Sequence, residues 1–164
     1  AEHEQFLRVM VTAVCELTHR FLPAMEAAGY GRIVNVASLA GLVPASAGHT
    51  LYGATKAFLI RFSESLALET TAKGVHVCAL CPGFTYTEFH DVNGMREQVS
   101  KLPKLLWLDA GSVARLGLDA VDRGQTRCVT GRANRVIAGI SKYLPDGLAR
   151  ALVASRSKEF RNAD

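Results

Sequence analysis

Tyr52 and Lys56 are the residues whose types and spacing point most directly to chemistry. On a helix they lie one turn apart on the same face. A phenol holds its proton far above neutral pH, and an ammonium group beside it favours the phenolate and lowers its pKa. The pair is therefore a candidate general acid or base near neutral pH. The spacing alone is a weak signal, because long polar residues on any helix mostly face solvent.

Two apolar segments flank this pair and predict the strands that position it. Residues 32–37 run directly into Ser38, and residues 75–81 run into Pro82 and Gly83. Continuous apolar segments of this length are typical of parallel strands that are covered on both faces. The carboxyl ends of such strands are where open α/β sheets bind their ligands.

Apolar periodicity predicts the helices. The stripe of the first helix comprises Phe6, Met10, Val14, Leu17, Phe21 and Met25, and that of the second Phe58, Phe62 and Leu66. The predicted order is helix 4–27, strand 32–37, loop 39–50, helix 51–72, strand 75–81, an irregular or short-helical segment 84–108, helix 112–123, strand 127–130, and one or two helices over 134–160. This alternation predicts an α/β domain with a parallel sheet.

The order strand, Ser38, loop, Tyr52-x-x-x-Lys56, helix, strand, Pro82-Gly83-x-x-x-Thr87 resembles the short-chain dehydrogenase/reductase family over nearly the whole chain. The resemblance implies a Rossmann-like doubly wound parallel sheet. It also implies an oxidoreductase that transfers a hydride between NAD or NADP and a carbonyl or alcohol substrate. The alternative is a non-catalytic Rossmann-like binding or scaffold protein related to the family.

The resemblance also implies a role for each motif residue. Tyr52 would be the acid or base, Lys56 would lower the tyrosine pKa and hold the nicotinamide ribose, and Ser38 would hydrogen-bond the substrate oxygen. The turn that lies against the nicotinamide and its phosphate would be formed by Pro82, Gly83 and Thr87.

Three further residues affect the interpretation of this implied site. Ser46 is a weaker rival for the serine role, because no strand fixes it. Asn35 is predicted to be structural and to pair with nearby backbone. Met10 stands where many relatives carry an asparagine that holds a water of the proton relay, and a thioether cannot replace that amide. Either the relay is reorganised, or the protein is a weak or inactive relative.

No G-x-G-x-x-G turn occurs in the sequence, although the family carries a Gly-rich turn in the first half of its fold. The sequence is therefore expected to be the second half of such a domain, a single N-terminally truncated unit over 1–164 with a basic helical extension over 132–164. The residue that selects NAD or NADP would lie in the first half.

Composition is that of a globular protein, with 49% hydrophobic and 21% charged residues. No apolar run reaches the length of a membrane span, and residues 1–10 do not resemble a signal peptide. Cys78 and Cys81 are interpreted as buried thiols of a core strand in a cytoplasmic protein rather than as a metal or redox pair. No metal site is predicted.

Residues 123–164 carry nine basic against three acidic residues. A solvated helix face is the favoured explanation, and an acidic membrane surface is the alternative. Nucleic acid is disfavoured, since no aromatic residues are interleaved with the basic ones.

Apolar residues after the Pro-Gly turn predict either a lipophilic substrate wall or part of the core. They are Leu102, Leu105, Leu106, Trp107 and Leu108. The resemblance implies a homodimer or tetramer that is formed through helices 4–27 and 51–72.

Overall fold

The fold is built on a three-stranded parallel sheet. The computed structural model describes residues 2–45, 50–87, 103–145 and 147–148. The sheet has the order β1-β2-β5, with β1 at Gly31–Val36, β2 at Val75–Cys81 and β5 at Arg127–Val129. A second parallel pair joins β3 (Phe84–Tyr86) to β4 (Trp107–Asp109).

Helices connect these strands in the predicted alternation. They are α1 (Glu2–Leu7), a π-helical segment (Arg8–Thr12), α2 (Ala13–Ala27), α3 (Thr50–Thr70), α4 (Ala110–Asp122) and α5 (Arg132–Tyr143), with 3-10 turns at Leu39–Gly41, Thr71–Lys73 and Lys104–Leu106. Gly29 and Gly74 have positive φ angles of 64° and 78° and follow the ends of α2 and of the turn after α3. The α/β class with a parallel sheet is confirmed.

The central strand β2 is covered on both faces. Val75 and Val77 pack against Leu66 and Ala67 of α3, whereas Cys78 packs on the opposite face against α4. Because alternate side chains of a strand point to opposite faces, one strand supplies both halves of the core. Burying an aliphatic side chain of this size contributes about 1.5–3 kcal/mol.

The predicted apolar stripe of the first helix is wrong in its central part. Leu17 and Phe21 are more than half exposed. The residues of α2 that contact the core are Val14, Leu22 and Met25. The π-helical segment Arg8–Thr12 adds residues to one turn and so rotates the faces on its two sides relative to each other.

The predicted stripe of the second helix is confirmed at Leu66 and Phe62 and is wrong at Phe58. Phe58 is exposed, and the buried residues of α3 are Thr55, Lys56, Leu59, Ile60, Ser63, Leu66, Ala67 and Thr70. Phe58 stacks on Phe62 at the flank, with 5.9 Å between ring centroids. The inward face includes a lysine, a serine and two threonines, so periodicity of apolar residues alone does not locate it.

The other predicted boundaries agree to within about two residues, which is ordinary disagreement at helix ends. Asp109 caps α4, accepting a hydrogen bond from Ser112 N–H at 2.8 Å. The segment 84–108 contains the strands β3 and β4, so its irregular assignment is wrong at its two ends. Residues 88–102 and 149–164, including most of the predicted C-terminal extension, lie outside the described residues. None of the described helices is both long and apolar enough to cross a bilayer.

Candidate functional site

Helix α3 places Tyr52 and Lys56 together at the carboxyl end of β1. Lys56 is only 8% exposed, and its Nζ donates a hydrogen bond to Val36 O at 2.8 Å. The same ammonium lies 5.7 Å from the centroid of the half-buried Tyr52 ring. The predicted side-by-side arrangement of phenol and ammonium is present.

Burial lowers the pKa of Lys56 below its usual range. Removing an ammonium from water disfavours the charged form, and no carboxylate is among the causes of the shift. The neighbour that holds the ammonium is a backbone carbonyl dipole rather than an anion. Among the described residues, no carboxylate forms an ion pair with Lys56.

Ser38 follows β1 and begins the 3-10 turn Leu39–Gly41. Its backbone is extended, and its Oγ accepts a hydrogen bond from Ala40 N–H at 3.1 Å. A hydroxyl that accepts one bond retains its own O–H as a donor. The capping bond therefore fixes the position of the Ser38 oxygen without consuming its proton.

The turn after Ser38 is pressed against α3 at a glycine. A Cβ on Gly41 would lie 2.7 Å from Ala57 N and 2.7 Å from Lys56 C, both backbone atoms. A Cβ on Gly53 would lie 3.6 Å from Ala40 O. Since backbone cannot move aside as a flexible side chain can, only glycine permits this approach at position 41. The Ser38 turn thus lies along the first turns of α3.

The Pro82–Gly83 turn joins the same rim. Val36 pairs with Leu80 in the register of β1 and β2, so Ser38 and Pro82 each lie two residues beyond a paired position. Leu39 N–H donates to Pro82 O at 2.8 Å and connects the two turns directly. Ser38, Lys56 and Pro82 are therefore linked through three adjacent elements, as the topology predicts.

Two threonines follow the Pro82–Gly83 turn. Thr85 Oγ1 donates to Gly83 O at 3.2 Å and closes the turn. Thr87 is half-buried and follows β3 directly.

Asn35 is structural, but its predicted pairing with nearby backbone is wrong. Its Nδ2 donates to Ser63 Oγ on α3 at 2.9 Å, and Ser63 Oγ donates to Leu59 O at 2.7 Å. Both side chains are buried. This short chain fastens β1 to α3 one residue before Val36, which holds the Lys56 ammonium. The sequence contains no signal that pairs these two positions.

Three other predicted positions can now be placed. Met10 lies half-buried within the π-helical segment. Cys78 and Cys81 are fully buried, and burial raises the pKa of each thiol to about 12. No group of three or more His, Cys, Asp or Glu side chains in the described ranges is placed to hold a metal ion. Ser46 lies outside the described residues.

The predicted lipophilic wall is resolved only in part. Trp107 stacks on Tyr86, with ring centroids 4.7 Å apart, and contacts Phe84 at 5.5 Å. Leu105 is 80% exposed and so does not belong to the core. Leu102 is outside the described residues. Phe84, Tyr86 and Trp107 thus form one aromatic cluster across β3 and β4.

Comparison with known proteins agrees with this geometry. The model of the short chain dehydrogenase family matches residues 1–98, which is more than half of the chain. The chain belongs to the short-chain dehydrogenase family.

Similar proteins within the family differ in function and source. Nodulation protein G of Azospirillum brasilense is 35% identical over 99 residues, covering 60% of this chain and 39% of that protein. Very-long-chain 3-oxoacyl-CoA reductase of Rattus norvegicus is 26% identical, covering 97% of this chain and 48% of that protein. The chain therefore spans less than half of each.

Solved short-chain dehydrogenases share the fold. One from Sphingobium yanoikuyae in complex with NADPH superimposes with a TM-score of 0.68 at 29% identity, covering 90% of this chain and 54% of that one. The Rossmann-like sheet that the sequence predicts is thus confirmed as the fold of this family member.

Proposed function

We propose that the protein containing this chain is an NAD- or NADP-dependent oxidoreductase that interconverts a carbonyl and an alcohol. The observation that carries the proposal is the meeting of Ser38, Lys56 and Pro82 at one rim through the Lys56–Val36 and Leu39–Pro82 hydrogen bonds. Family membership supports the reaction class. The Lys56 ammonium is buried beside Tyr52 and has no carboxylate partner among the described residues. A purely structural role does not require this arrangement.

Each residue of this set has a distinct role. Tyr52 donates a proton to the oxygen of the carbonyl during reduction and removes it from the alcohol during oxidation. The Lys56 ammonium places a positive charge 5.7 Å from the centre of the Tyr52 ring. Ser38 donates its O–H to the substrate oxygen and stabilises the charge that develops there.

The residues present fit a nicotinamide cofactor. The buried Lys56 ammonium suits ribose hydroxyl groups, and the backbone of Pro82 and Gly83 with the Thr87 hydroxyl suits a carboxamide and a phosphate. When bound, the cofactor supplies or accepts the hydride. This chain would then hold the nicotinamide and substrate end of the site, whether the cofactor is NAD or NADP.

A lipophilic, acyl-linked carbonyl is the substrate class we favour. The Phe84–Tyr86–Trp107 cluster, which begins one residue after Gly83, offers an aromatic surface. The rat relative is named as a very-long-chain 3-oxoacyl-CoA reductase, and a Nostoc relative that is 39% identical over 84 residues is named as a ketoacyl reductase. Extended apolar chains are recognised by such aromatic surfaces.

Deuterium transfer tests the proposal. The purified protein is incubated with NADPH or NADH deuterated at the reactive carbon and with 3-oxoacyl thioesters of increasing chain length. We expect deuterium on the carbinol carbon of the product. Ser38→Ala should lower the rate by about 10²-fold or more, as loss of an oxyanion donor does, and Ser46→Ala should not. Absence of transfer to any carbonyl, with either nucleotide bound, would support the non-catalytic alternative.

We also propose self-association through α2 and α3. Leu17 and Phe21 on α2 and Phe58 and Leu68 on α3 are exposed apolar side chains on the two helices that the family resemblance assigns to a dimer. Light scattering of the parent and of Phe21→Ser should show a dimer or tetramer that weakens in the variant. A parent that is monomeric at all concentrations would contradict the assignment.

A second candidate function, contact with an acidic membrane, is favoured by α5. Val136, Ile140 and Tyr143 are 61%, 58% and 79% exposed on one face of this helix. Arg132 and Lys142 are exposed beside them. A helix with an apolar face and basic flanks, of low overall hydrophobicity, lies in the interface of anionic lipid. Self-pairing of this face would instead bring like charges together.

Vesicle sedimentation separates this candidate from the first. The protein should sediment with phosphatidylserine-containing vesicles, less in high salt, and not with phosphatidylcholine alone. Ile140→Ser should weaken sedimentation. Leu118→Ser, at a position of α4 that is also 58% exposed, should not. Equal sedimentation of both variants, or none by the parent, would contradict a membrane role. A cytoplasmic location stays a prediction.

A further inference from the structure

We propose that Asn134 of α5 is a positioning residue for the Pro82–Gly83 turn. The inference rests on the proposed function, because that turn is the part of the site assigned to the cofactor. Asn134 lies about fifty residues beyond the turn in sequence and belongs to no motif of the family resemblance. It is nevertheless 2% exposed, which is unusual for an uncharged amide.

The contact between Asn134 and the turn is unusually close. A Cβ on Gly83 would lie 2.6 Å from Asn134 Cγ and 2.7 Å from Oδ1. Gly83 does not have a positive φ angle, so its backbone conformation is open to other residues. Position 83 requires glycine because the Asn134 amide occupies the space that a Cβ would fill. Gly83 is therefore glycine because of a protein contact, independently of any cofactor.

Asn134 is connected to β2 through hydrogen bonds by way of Thr130. Its Nδ2 donates to Thr130 O at 2.8 Å, within the segment that links β5 to α5. Thr130 N–H donates to Cys81 O at 3.4 Å, next to Pro82. The amide is thus hydrogen-bonded to the link between β5 and α5 while it packs against Gly83. A shift of the first turn of α5 would be transmitted directly to the Pro82–Gly83 turn.

Thr130 provides a matched comparison within the same cluster. It is 1% exposed, and its Oγ1 has no hydrogen-bond partner among the described residues. Thr130→Val keeps the shape and removes a hydroxyl that makes no bond, so it perturbs the cluster without releasing the turn. Asn134→Ala removes both the bond to Thr130 O and the contact with Gly83.

A double-mutant cycle tests the proposal on the purified protein. NADPH and NADH dissociation constants and melting temperatures are measured for the parent, Asn134→Ala, Gly83→Ala, the double variant and Thr130→Val. We expect Asn134→Ala to raise the nucleotide dissociation constant about tenfold, the size of one lost hydrogen bond. Gly83→Ala should raise it further. The double variant should bind better than Gly83→Ala alone, because the new methyl group enters the vacated space.

The outcomes separate the role of Asn134 from the proposed function. If the parent binds a nucleotide and Asn134→Ala binds it with the same dissociation constant, the inference is overturned. A lower melting temperature of the variant would then show that Asn134 only stabilises the fold. Additive effects in the double variant would overturn it as well, because the two positions would then act independently. Failure of the parent to bind either nucleotide would overturn the proposed function and this role together. Thr130→Val should bind as the parent does.

Discussion

The two sides of the candidate site are fixed by different kinds of contact. On the α3 side, Lys56 and Asn35 hydrogen-bond between β1 and α3. Gly41 lets the Ser38 turn touch the helix backbone. On the opposite side, the Pro82–Gly83 turn makes hydrogen bonds with Leu39 and Thr85, and an amide from α5 packs against it.

Both sides carry motif residues, but the contacts that hold them differ in how far apart their partners lie in the sequence. The α3 side is made by residues within about forty positions of one another, and its contacts repeat along a strand and a helix. The turn side also depends on Asn134, which lies beyond β3, β4, α4 and β5 in the chain. Disturbing the α3 side should therefore affect turnover and folding together, whereas disturbing Asn134 should affect nucleotide binding first.

The largest stability effect is expected at Gly41. Gly41→Ala forces a methyl group to within 2.7 Å of two α3 backbone atoms and should destabilise the protein by about 1–3 kcal/mol. Urea unfolding measures the change. Gly139→Ala on α5 is the matched control, because nothing lies within 4 Å of its added methyl. There we expect no loss, or a gain of up to about 1 kcal/mol from helix propensity. Equal effects at the two glycines would show that the Ser38 turn is not pressed against α3.

A smaller effect is expected at Asn35. Asn35→Ala removes the bond to Ser63 and should cost about 1 kcal/mol, since the Ser63 hydroxyl keeps its bond to Leu59 O. It should lower kcat more than it weakens nucleotide binding, the reverse of Asn134→Ala. Steady-state kinetics on both variants checks this split. If Asn35→Ala and Asn134→Ala both change mainly kcat, or both change mainly nucleotide binding, the two sides of the site are not held separately.

The smallest effect concerns the pH dependence of stability. Burial lowers the pKa of Lys56 in the folded protein, so the unfolded chain binds more protons in the window between that lowered pKa and the usual lysine value. Stability linked to Lys56 should therefore rise with pH across that window. The melting temperature of the parent minus that of Lys56→Met should increase from neutral to alkaline pH. The buried thiols titrate in both proteins and cancel. A constant or falling difference would mean that the ammonium is not penalised by burial.

The sequence predicts much of the fold because its signals are local. The strand Val75–Cys81 was predicted residue for residue, since an apolar run ends there at Pro82. The apolar stripes fail at Leu17, Phe21 and Phe58, because the π-helical segment and the buried polar residues of α3 are set by tertiary packing. No single-residue pattern reports a π-helical turn in advance.

The sequence predicts the site residues that carry reactive groups at a characteristic spacing. It does not predict the residues whose role is to pack against the site. Tyr52 and Lys56 carry reactive groups one helical turn apart, and Ser38 ends a strand. Gly41 and Asn134 carry no reactive group, and their importance lies in the backbone they touch. Such contacts join residues that are distant in sequence, so only the folded chain identifies them.

The most direct test of the account is turnover by Tyr52→Phe, measured beside its nucleotide affinity. The substitution removes one hydroxyl and keeps the ring near Lys56. We predict an unchanged dissociation constant to within about twofold and a kcat lowered by roughly 10²–10⁴-fold, the range for loss of a general acid. Full turnover by Tyr52→Phe, with product formation proportional to enzyme, would contradict the assignment of Tyr52 as the proton donor.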